Sequence, residues 1–420
     1  MSRLLLPNLL TDQTHLDPHP LGAIFPAHPA QGMFLSRLTE EMGVWLLANA
    51  TVGVIEFIVL PYELPEMVRS LASERGLRLP NVVKIDSHPG HADAFAAELA
   101  TALNRLPQIT SVECAGWGLA EEKLRELLKP RKIEVYPAGW TKLDNMSASG
   151  FDFFSLSKEL NAKTFLPRVA AQLSLEIPPS RVVQTNEILN PDFSKDYVFK
   201  SDFSSGGSGV LTMDDGARRL LGRALREDES LKNATWLMQR RVAVRREYSA
   251  VVWPNHSGAS ENNMNVSLLE VEYDKARLSR LHRSLHPSEF KLRSRLLEVA
   301  RVLAEFLFKK GWLGPFGFDS ILDESGSLYD VTDLNVRMTK GHFLTAAVKA
   351  LGCEQRNWSI ERVRCARSPF QSEMEFRRER PSATILSCGG ALESGVGTRA
   401  VCEWTELKFT DRAEAEHAAE

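Results

Sequence analysis

The chain has 420 residues, 43% of them hydrophobic and 25% charged, a composition typical of a globular protein too long for a single hydrophobic core. Its formal net charge of −3 excludes a general electrostatic attraction to nucleic acid or to an anionic membrane surface. The five cysteines show no CxxC pair and no zinc-like spacing, which predicts free thiols in a reducing compartment, and hence a cytoplasmic protein.

The N-terminal part of the chain, residues 1–150, alternates short apolar runs with helical patterns. Residues 1–10 are interrupted by Pro7 and are too short for a signal peptide, and no apolar window is long enough to span a bilayer. The predicted strands cover 52–60, 82–85 and 132–136. One predicted helix follows the first strand and ends near Arg75, and two more cover 92–106 and 121–128. Strands that alternate with helices predict an open α/β lobe. No GxGxxG motif follows these strands, so we expect no dinucleotide site there.

Residues 151–254 begin after a polar stretch that marks a linker. Their patterns predict helices over 161–173 and 217–224 and strands at 181–184, 197–200, 210–213, 236–242 and 247–253. We expect the last two of these strands to pair with each other.

A glycine-rich segment connects two of these strands. Its serines and glycines are Ser204, Ser205, Gly206, Gly207, Ser208 and Gly209. Glycines let backbone N–H groups approach an anion, and Lys200 on the preceding strand could reach the same phosphate groups. Lys163 on the preceding helix is a second candidate cation. The alternatives are a flexible hairpin tip for the segment and a solvated side chain for Lys163.

The following pair of predicted strands carries polar residues that suit a nucleoside. The segment from Gln239 through Arg240 to Val242 ends one strand, and Glu247 begins the next. A backbone edge can pair with a purine base, and a carboxylate can accept a hydrogen bond from a ribose hydroxyl. The alternative is that the arginine and glutamate are surface charges on an edge strand.

Residues 255–351 contain a long amphipathic helix, predicted over 289–310, and then two short apolar runs joined by a turn centred near Gly326. A hairpin with that turn places Asp319 opposite Asp333, and strand alternation puts Asn335 and Arg337 on the same face. Facing carboxylates repel each other, so a divalent cation held by the oxygens of Asp319, Asp333 and Asn335 would explain the pair. A solvated hairpin with acidic side chains is the alternative.

The patterns weaken beyond residue 351, where strands are predicted at 384–387 and 400–404 before a frayed tail. The sequence therefore predicts four segments. They are an N-terminal lobe over 1–150, a central segment over 151–254, a core over 255–351 and a C-terminal extension over 352–420.

Taken in order, the motifs over about 155–350 resemble those of the ATP-grasp superfamily of carboxylate–amine ligases. The matching motifs are LNAKTFLP, YVFKSDFSSGGSGV, LMQRRVAVRREYS and FGFDSI with YDVTDLNVRMTKG. The Asp-x-Asn-x-Arg element in the last of them is the most specific. The resemblance implies an α/β (α+β) architecture, the ATP-grasp fold, with an N-terminal open α/β lobe, a central lid subdomain and a C-terminal metal-binding core.

The resemblance also implies a role for each matched residue, with ATP and Mg²⁺ as cofactors. Asp319, Asp333 and Asn335 would be the metal ligands. Lys163 and Lys200 would contact the ATP phosphates, beneath the closing glycine-rich loop. The segment from Gln239 to Val242 would hold adenine, and Glu247 would hold the ribose. Arg337 and Lys340 would stabilise the acyl phosphate, although Arg337 could instead pair with Asp333.

The implied reaction is ATP-dependent formation of an amide between a small carboxylate and an amine such as an amino acid, with a homodimer possible. The closer resemblance is to natural-product peptide ligases of the pheganomycin and tabtoxin types. Three positions depart from common family patterns: Asp333 replaces a frequent glutamate, Gln239 replaces a frequent acid, and Gly317 stands where D-alanine–D-alanine ligases carry arginine. The alternatives are an ATP-binding protein without ligase turnover, a thiol ligase and a kinase.

Overall fold

The computed structural model describes about two thirds of the chain. The described ranges are 2–7, 55–60, 66–74, 76–87, 91–137, 152–189, 196–202, 210–212, 215–227, 232–254, 264–273, 279–351, 358–365, 384–389 and 402–409. Their strands form three sheets. None of the helices in these ranges is long and apolar enough to cross a membrane.

The first sheet is parallel and has the strand order β3-β2-β1-β4-β5. Its elements are β1 (Ser2–Leu6), β2 (Ile55–Leu60), α1 (Glu66–Glu74), β3 (Asn81–Lys84), α2 (Ala92–Leu103), β4 (Ile109–Cys114), α3 (Leu119–Leu128) and β5 (Glu134–Pro137). This arrangement confirms the open α/β lobe. The two strands at its centre, β1 and β4, were not predicted from the sequence.

The second sheet is antiparallel and has the order β6-β9-β7-β8. The elements of this part are α4 (Phe153–Asn161), a 3₁₀ turn (Lys163–Phe165), α5 (Leu166–Leu173), β6 (Ser180–Gln184), α6 (Thr185–Ile188), β7 (Tyr197–Ser201), β8 (Val210–Thr212), α7 (Asp215–Glu227) and β9 (Thr235–Arg240). A small core of its own, with Phe199 and Trp236 at its centre, lies beneath this sheet.

The single helix predicted over 161–173 is wrong, because the structure divides that stretch at Ala162. The backbone of Ala162 is extended, with φ −64° and ψ 125°, and Lys163 then begins the 3₁₀ turn. Pro167 lies in the first turn of α5, where its missing N–H costs no helical hydrogen bond. Because of this break, the Lys163 side chain leaves the backbone from a 3₁₀ turn and not from a continuous α-helix.

The third sheet has the order β14-β13-β10-β11-β12-β15-β17-β16 among the described strands. Its elements are β10 (Val244–Pro254), β11 (Met264–Tyr273), β12 (Ser279–Ser284), α8 (Phe290–Lys309), β13 (Phe316–Asp323), β14 (Leu328–Asn335), α9 (Lys340–Ala350), β15 (Trp358–Cys365), β16 (Thr384–Gly389) and β17 (Cys402–Phe409). The large core on one face includes apolar residues of α8. On the other face, α9 shares a core with Val251 and Leu269 and with Leu5 and Ile58 of the first sheet.

The predicted pairing of the strands at 236–242 and 247–253 is wrong. The first is β9 of the second sheet, and the second is β10 of the third sheet. Both edges of β10 are already paired, with β11 on one side and β13 on the other. Because β10 falls within 151–254 but pairs with strands of the following segment, the boundary at 254 stays a prediction.

Candidate functional site

The hairpin of β13 and β14 has the register that the sequence predicts. Asp319 pairs with Asp333, and Gly317 pairs with Asn335. The connecting turn contains Gly326 in the left-handed region, with φ +88°, which glycine adopts without strain. The side chain of Asp323 accepts the Ser327 N–H at 2.8 Å and closes the turn. Next to the turn, Leu322 pairs with Leu328 and Ile321 with Tyr329, and the register then shifts between Ile321 and Asp319, which brings Asp319 opposite Asp333.

The two facing carboxyl groups, which we call the acidic pair, differ in their protonation. Burial and the charge of Asp333 raise the pKa of Asp319 to about 7. Burial also tends to raise the pKa of Asp333, but the nearby cations Lys163, Lys200 and Arg337 outweigh it and lower that pKa below its usual range. The surroundings therefore favour the ionised form of Asp333 and the protonated form of Asp319.

Lys163 reaches the acidic pair from the 3₁₀ turn. Its Nζ lies 2.7 Å from Oδ1 of Asp333 and 3.3 Å from Oδ1 of Asn335, and the residue is only 5% exposed. Both contacts are to oxygens that the sequence analysis named as metal ligands. The structure thus brings one predicted phosphate contact and two predicted metal ligands to a single point.

Lys200 reaches the same place from β7 of the second sheet. Its Nζ donates to the Thr332 carbonyl oxygen at 2.7 Å. Burial lowers the pKa of this lysine, while the charge of Asp333 favours its protonated form. The second and third sheets therefore meet at the acidic pair, each contributing charged side chains.

Arg337 lies just beyond the end of β14. Its Nη2 donates to Oδ1 of Asn335 at 3.2 Å, its Nη1 lies 3.5 Å from the Met338 carbonyl oxygen, and the residue is 6% exposed. The guanidinium also contributes to lowering the pKa of Asp333. Lys340 follows as the first residue of α9.

The N-terminus of α9 is fixed by a buried histidine. Nδ1 of His342 accepts the Thr339 N–H at 2.9 Å, and Nε2 lies 3.3 Å from the Val252 carbonyl oxygen. Burial lowers the pKa of His342 to about 3, so the ring is neutral near pH 7, with its proton on Nε2. The helix start is therefore held in place without adding a charge of its own.

The residues predicted to hold the nucleoside lie in two places: three are at the end of β9 or just beyond it, and Glu247 is on β10 near the acidic pair. Gln239 is buried, and its Nε2 donates to Ser180 Oγ at 3.2 Å. Arg240 and Val242 follow at the passage from β9 to β10, where the Arg240 N–H donates to the Pro179 carbonyl oxygen at 2.8 Å. Glu247 lies near the acidic pair. It precedes Ser249, the direct partner of Asp319, by two positions and so shares its face.

The charge of Glu247 helps to raise the pKa of Asp319, which places it within electrostatic reach of the acidic pair. The predicted phosphate loop, with Ser204, Ser205, Gly206, Gly207 and Gly209, lies outside the described residues.

Two positioning side chains were missed by the sequence analysis. Asn161 contacts the backbone of Val336, the residue between Asn335 and Arg337: its Oδ1 accepts the Val336 N–H at 2.8 Å, and its Nδ2 lies 3.3 Å from the Val336 carbonyl oxygen. Asp202 accepts the Thr164 N–H at 2.7 Å and the Thr235 hydroxyl at 2.8 Å. Neither contact has a local sequence signal, because each joins elements far apart in the chain.

The oxygens at this site suit a hard divalent cation that keeps other ligands. Oδ1 of Asp333 is buried, and its contact is the ion pair with the Lys163 ammonium group at 2.7 Å. Within the described ranges, no group of three or more carboxylate, imidazole or thiol side chains could form a metal cage. One or two carboxylates are what Mg²⁺ takes from a protein when phosphate oxygens and water complete its shell.

Comparison with solved structures finds similar folds over nearly the whole chain. Biotin carboxylase from Campylobacter jejuni, solved with a β,γ-ATP ligand, is 12% identical with a TM-score of 0.56, and the match covers 98% of this chain and 88% of that one. N5-carboxyaminoimidazole synthase from Aspergillus clavatus, solved with ADP and 5-aminoimidazole ribonucleotide, is 12% identical with a TM-score of 0.54, covering 99% and 96%.

A third similar structure is the biotin carboxylase domain dimer of 2-oxoglutarate carboxylase from Hydrogenobacter thermophilus, solved with MgADP and bicarbonate. It is 12% identical with a TM-score of 0.53, covering 97% of this chain and 86% of that one. No family model and no curated protein matches the sequence. The structural likeness establishes the fold: the chain has the ATP-grasp fold, as the sequence resemblance implied.

Proposed function

We propose that this protein is an ATP-dependent carbon–nitrogen ligase that activates a carboxylate substrate as an acyl phosphate. The observation that carries the proposal is the meeting of Lys163 and Lys200, from separate elements, at the acidic pair of the hairpin. A triphosphate and Mg²⁺ need such a combination of cations and hard oxygens. The ADP, ATP-analogue and MgADP complexes of the similar structures support the same ligands for this chain.

The proposed reaction has two steps. A carboxylate oxygen of the substrate attacks the γ-phosphorus of ATP, the bond from that phosphorus to the bridging oxygen breaks, and ADP leaves. An amine nitrogen then attacks the acyl carbon, loses a proton and expels phosphate, which leaves an amide. Because the reacting groups belong to the substrates, the protein has to position them and balance their charge.

The chain's own residues divide this work by location. Lys163 and Lys200 neutralise phosphate oxygens, and Glu247 holds the ribose from the neighbouring strand. Asp319, Asp333 and Asn335 hold Mg²⁺, which when bound neutralises phosphate charge. Arg337 stabilises the negative charge that develops on the acyl phosphate, with Lys340 and the N-terminus of α9 beside it. Gln239 to Val242 line the base at the passage between the sheets, and the proposed phosphate contact of the glycine-rich loop falls outside the described residues.

For the substrates, we propose an amino acid or short peptide as one partner, as in the natural-product ligases that the motifs resemble. A cytoplasmic location and a homodimer remain predictions, and the Hydrogenobacter thermophilus neighbour is described as a domain dimer. A thiol ligase or a kinase would use the same nucleotide residues and would differ in the acceptor.

The test is ADP release from ATP with a panel of carboxylates and amines, with product detection by mass spectrometry. We expect release that depends on both substrates and falls at least about a hundredfold in Asp333→Ala and Arg337→Ala. Glu324→Ala, an exposed acid at the far end of the same hairpin, is the matched control and should retain activity. Full activity in both site variants would refute these roles. A phosphorylated product would identify a kinase, and a thioester product would identify a thiol ligase, in place of the amide ligase.

A further inference from the structure

The ammonium group of Lys163 lies on the oxygens that a metal ion would need. It is 2.7 Å from Oδ1 of Asp333 and 3.3 Å from Oδ1 of Asn335. A Mg²⁺ ion binds oxygen ligands at about 2.1 Å. An ion on these two oxygens would therefore lie almost in contact with the ammonium group. The lysine and a divalent cation cannot use these oxygens together in this arrangement.

Lys163 is held in this position through its backbone. Its N–H donates to the Asp202 carbonyl oxygen at 3.3 Å, and the next N–H, of Thr164, donates to the Asp202 carboxylate at 2.7 Å. Asp202 in turn accepts the Thr235 hydroxyl at 2.8 Å, which ties the turn to β9. The backbone at Lys163 is therefore anchored by contacts that do not involve the ammonium group.

The local charge balance also disfavours a free metal ion. Besides Lys163, Nη2 of Arg337 donates to Oδ1 of Asn335 at 3.2 Å, and Nζ of Lys200 donates to the Thr332 carbonyl oxygen, next to Asp333, at 2.7 Å. These three cations equal in number the acids Asp319, Asp333 and Glu247, so a free divalent ion would add an excess of positive charge. A polyphosphate supplies the compensating negative charge, and it also offers the Lys163 ammonium new oxygens once it leaves Asp333.

We propose that Lys163 makes this site selective for a metal–nucleotide complex over the free divalent ion, by occupying the ligand oxygens of Asp333 and Asn335 until phosphate groups draw it away. Metal and nucleotide then strengthen each other's binding. The phosphate groups draw Lys163 away from the metal ligands, and a bound metal ion frees the Lys163 ammonium group to contact phosphate. The role of phosphate in this inference rests on the proposed function, whereas the competition between lysine and metal does not.

The test measures Mn²⁺ binding by electron paramagnetic resonance on the full chain, with and without a non-hydrolysable ATP analogue. The variants are Lys163→Met, Lys163→Arg and, as a matched control, Lys349→Met, an exposed lysine of α9. Without the analogue, we expect Lys163→Met to bind Mn²⁺ about tenfold more tightly than wild type, while Lys163→Arg and Lys349→Met stay near wild type. With the analogue, the affinity of wild type should rise about tenfold or more, and that of Lys163→Met much less.

An affinity for free Mn²⁺ in folded Lys163→Met that equals or falls below that of wild type would overturn the inference. If circular dichroism shows that Lys163→Met does not fold, the measurements on wild type decide. Equal Mn²⁺ affinities of wild type with and without the analogue would also overturn the selectivity. Tighter free Mn²⁺ in Lys163→Met with no analogue effect in any variant would support the competition and refute the nucleotide site. If wild type releases ADP in a substrate-dependent way but Lys163→Met has the Mn²⁺ affinity of wild type, the proposed function would be supported and the competition between lysine and metal refuted.

Discussion

Asp319 and Asp333 face each other across one antiparallel hairpin, yet the pKa values of their carboxyl groups are shifted in opposite directions. The pKa of Asp319 rises to about 7 because it is buried beside another carboxylate. The pKa of Asp333 falls because Lys163 and Lys200 reach its side of the pair. Repulsion within the pair is thus relieved by protonating one member and ion-pairing the other, an arrangement that a bound cation would change.

The raised pKa of Asp319 predicts a pH-dependent cost to stability. Because its pKa is about 7 in the folded protein and 3.8 for an ordinary aspartate, the folded form binds more protons between these limits. The free energy of unfolding must then fall as pH rises through this window. Asp319→Asn, which cannot ionise, should be more stable than wild type by on the order of 1 kcal/mol at pH 8, with a smaller difference at pH 5.

Urea denaturation at the two pH values measures this difference, without added metal. Glu324→Gln, which removes an exposed acid from the same hairpin, should show no such pH-dependent gain. Equal stabilities of Asp319→Asn and wild type at pH 8 would mean that Asp319 is not the strained member of the pair.

Asn161 should affect the site through the backbone of Val336. Asn161→Ala leaves the buried Val336 N–H and C=O without their side-chain partners, which should reduce the free energy of unfolding by about 1–3 kcal/mol. Since Val336 lies between Asn335 and Arg337, we also expect weaker binding of an ATP analogue with Mn²⁺.

Ser157→Ala is the control for Asn161. It removes the hydroxyl contact to Nδ2 of Asn161 and the hydrogen bond to the Trp117 carbonyl oxygen but spares both contacts to Val336. If Asn161→Ala binds the analogue as tightly as wild type, after correction for the folded fraction, Asn161 contributes to stability alone.

Two helical glycines should respond oppositely to replacement by alanine. A Cβ on Gly341 of α9 would lie 2.5 Å from Cγ2 of Val251, so Gly341→Ala should cost about 1–3 kcal/mol of stability through overpacking. A Cβ on Gly222 of α7 would meet only the Arg226 guanidinium, at 3.9 Å, so Gly222→Ala should stabilise by about 0.5–1 kcal/mol. Thermal or urea denaturation compares them, and adding Val251→Ala to Gly341→Ala should give a combined effect that is less than additive. Similar effects of the two single replacements would contradict the close packing of α9 on β10.

His342 should remain neutral in the folded protein at all pH values above about 5. Burial lowers its pKa to about 3, from 6.5 for an ordinary histidine, so the folded form binds fewer protons than the unfolded form between these limits. The free energy of unfolding should therefore decline as pH falls below 6.5. His342→Asn, which cannot take up a proton, should lose less stability than wild type between pH 7 and pH 5. Ring resonances of His342 in the NMR spectrum that titrate near pH 6.5 would contradict the buried neutral tautomer.

Local sequence was sufficient for the hairpin and for the long helix before it. The turn cluster around Gly326 and the period-two alternation of the two apolar runs predicted the hairpin and the facing aspartates, and both signals act between near neighbours in the chain. The apolar spacing over 289–310 likewise predicted α8, which spans Phe290–Lys309. The register shift between Asp319 and Ile321, which separates the pairing at the turn from the pairing at the acidic pair, was not predicted.

The strands β1 and β4 escaped prediction, although they form the centre of the first sheet. Both strands have neighbours on two sides in the sheet, and strand formation depends strongly on such packing. The pairing of β10 with β11 and β13 instead of β9 was also set by the sheet as a whole.

The sequence by itself determined that two aspartates would lie on facing strands of one hairpin, near an asparagine and an arginine, because a turn and a two-residue repeat act over a few positions. Only the tertiary structure decided the irregular register beside the pair, the approach of Lys163 and Lys200, the support of Val336 by Asn161, and the opposite shifts of the two aspartate pKa values. The contacts of these lysines and of Asn161 join elements more than a hundred residues apart. Their energies depend on sheet order, burial and mutual charge, none of which a short stretch of sequence contains.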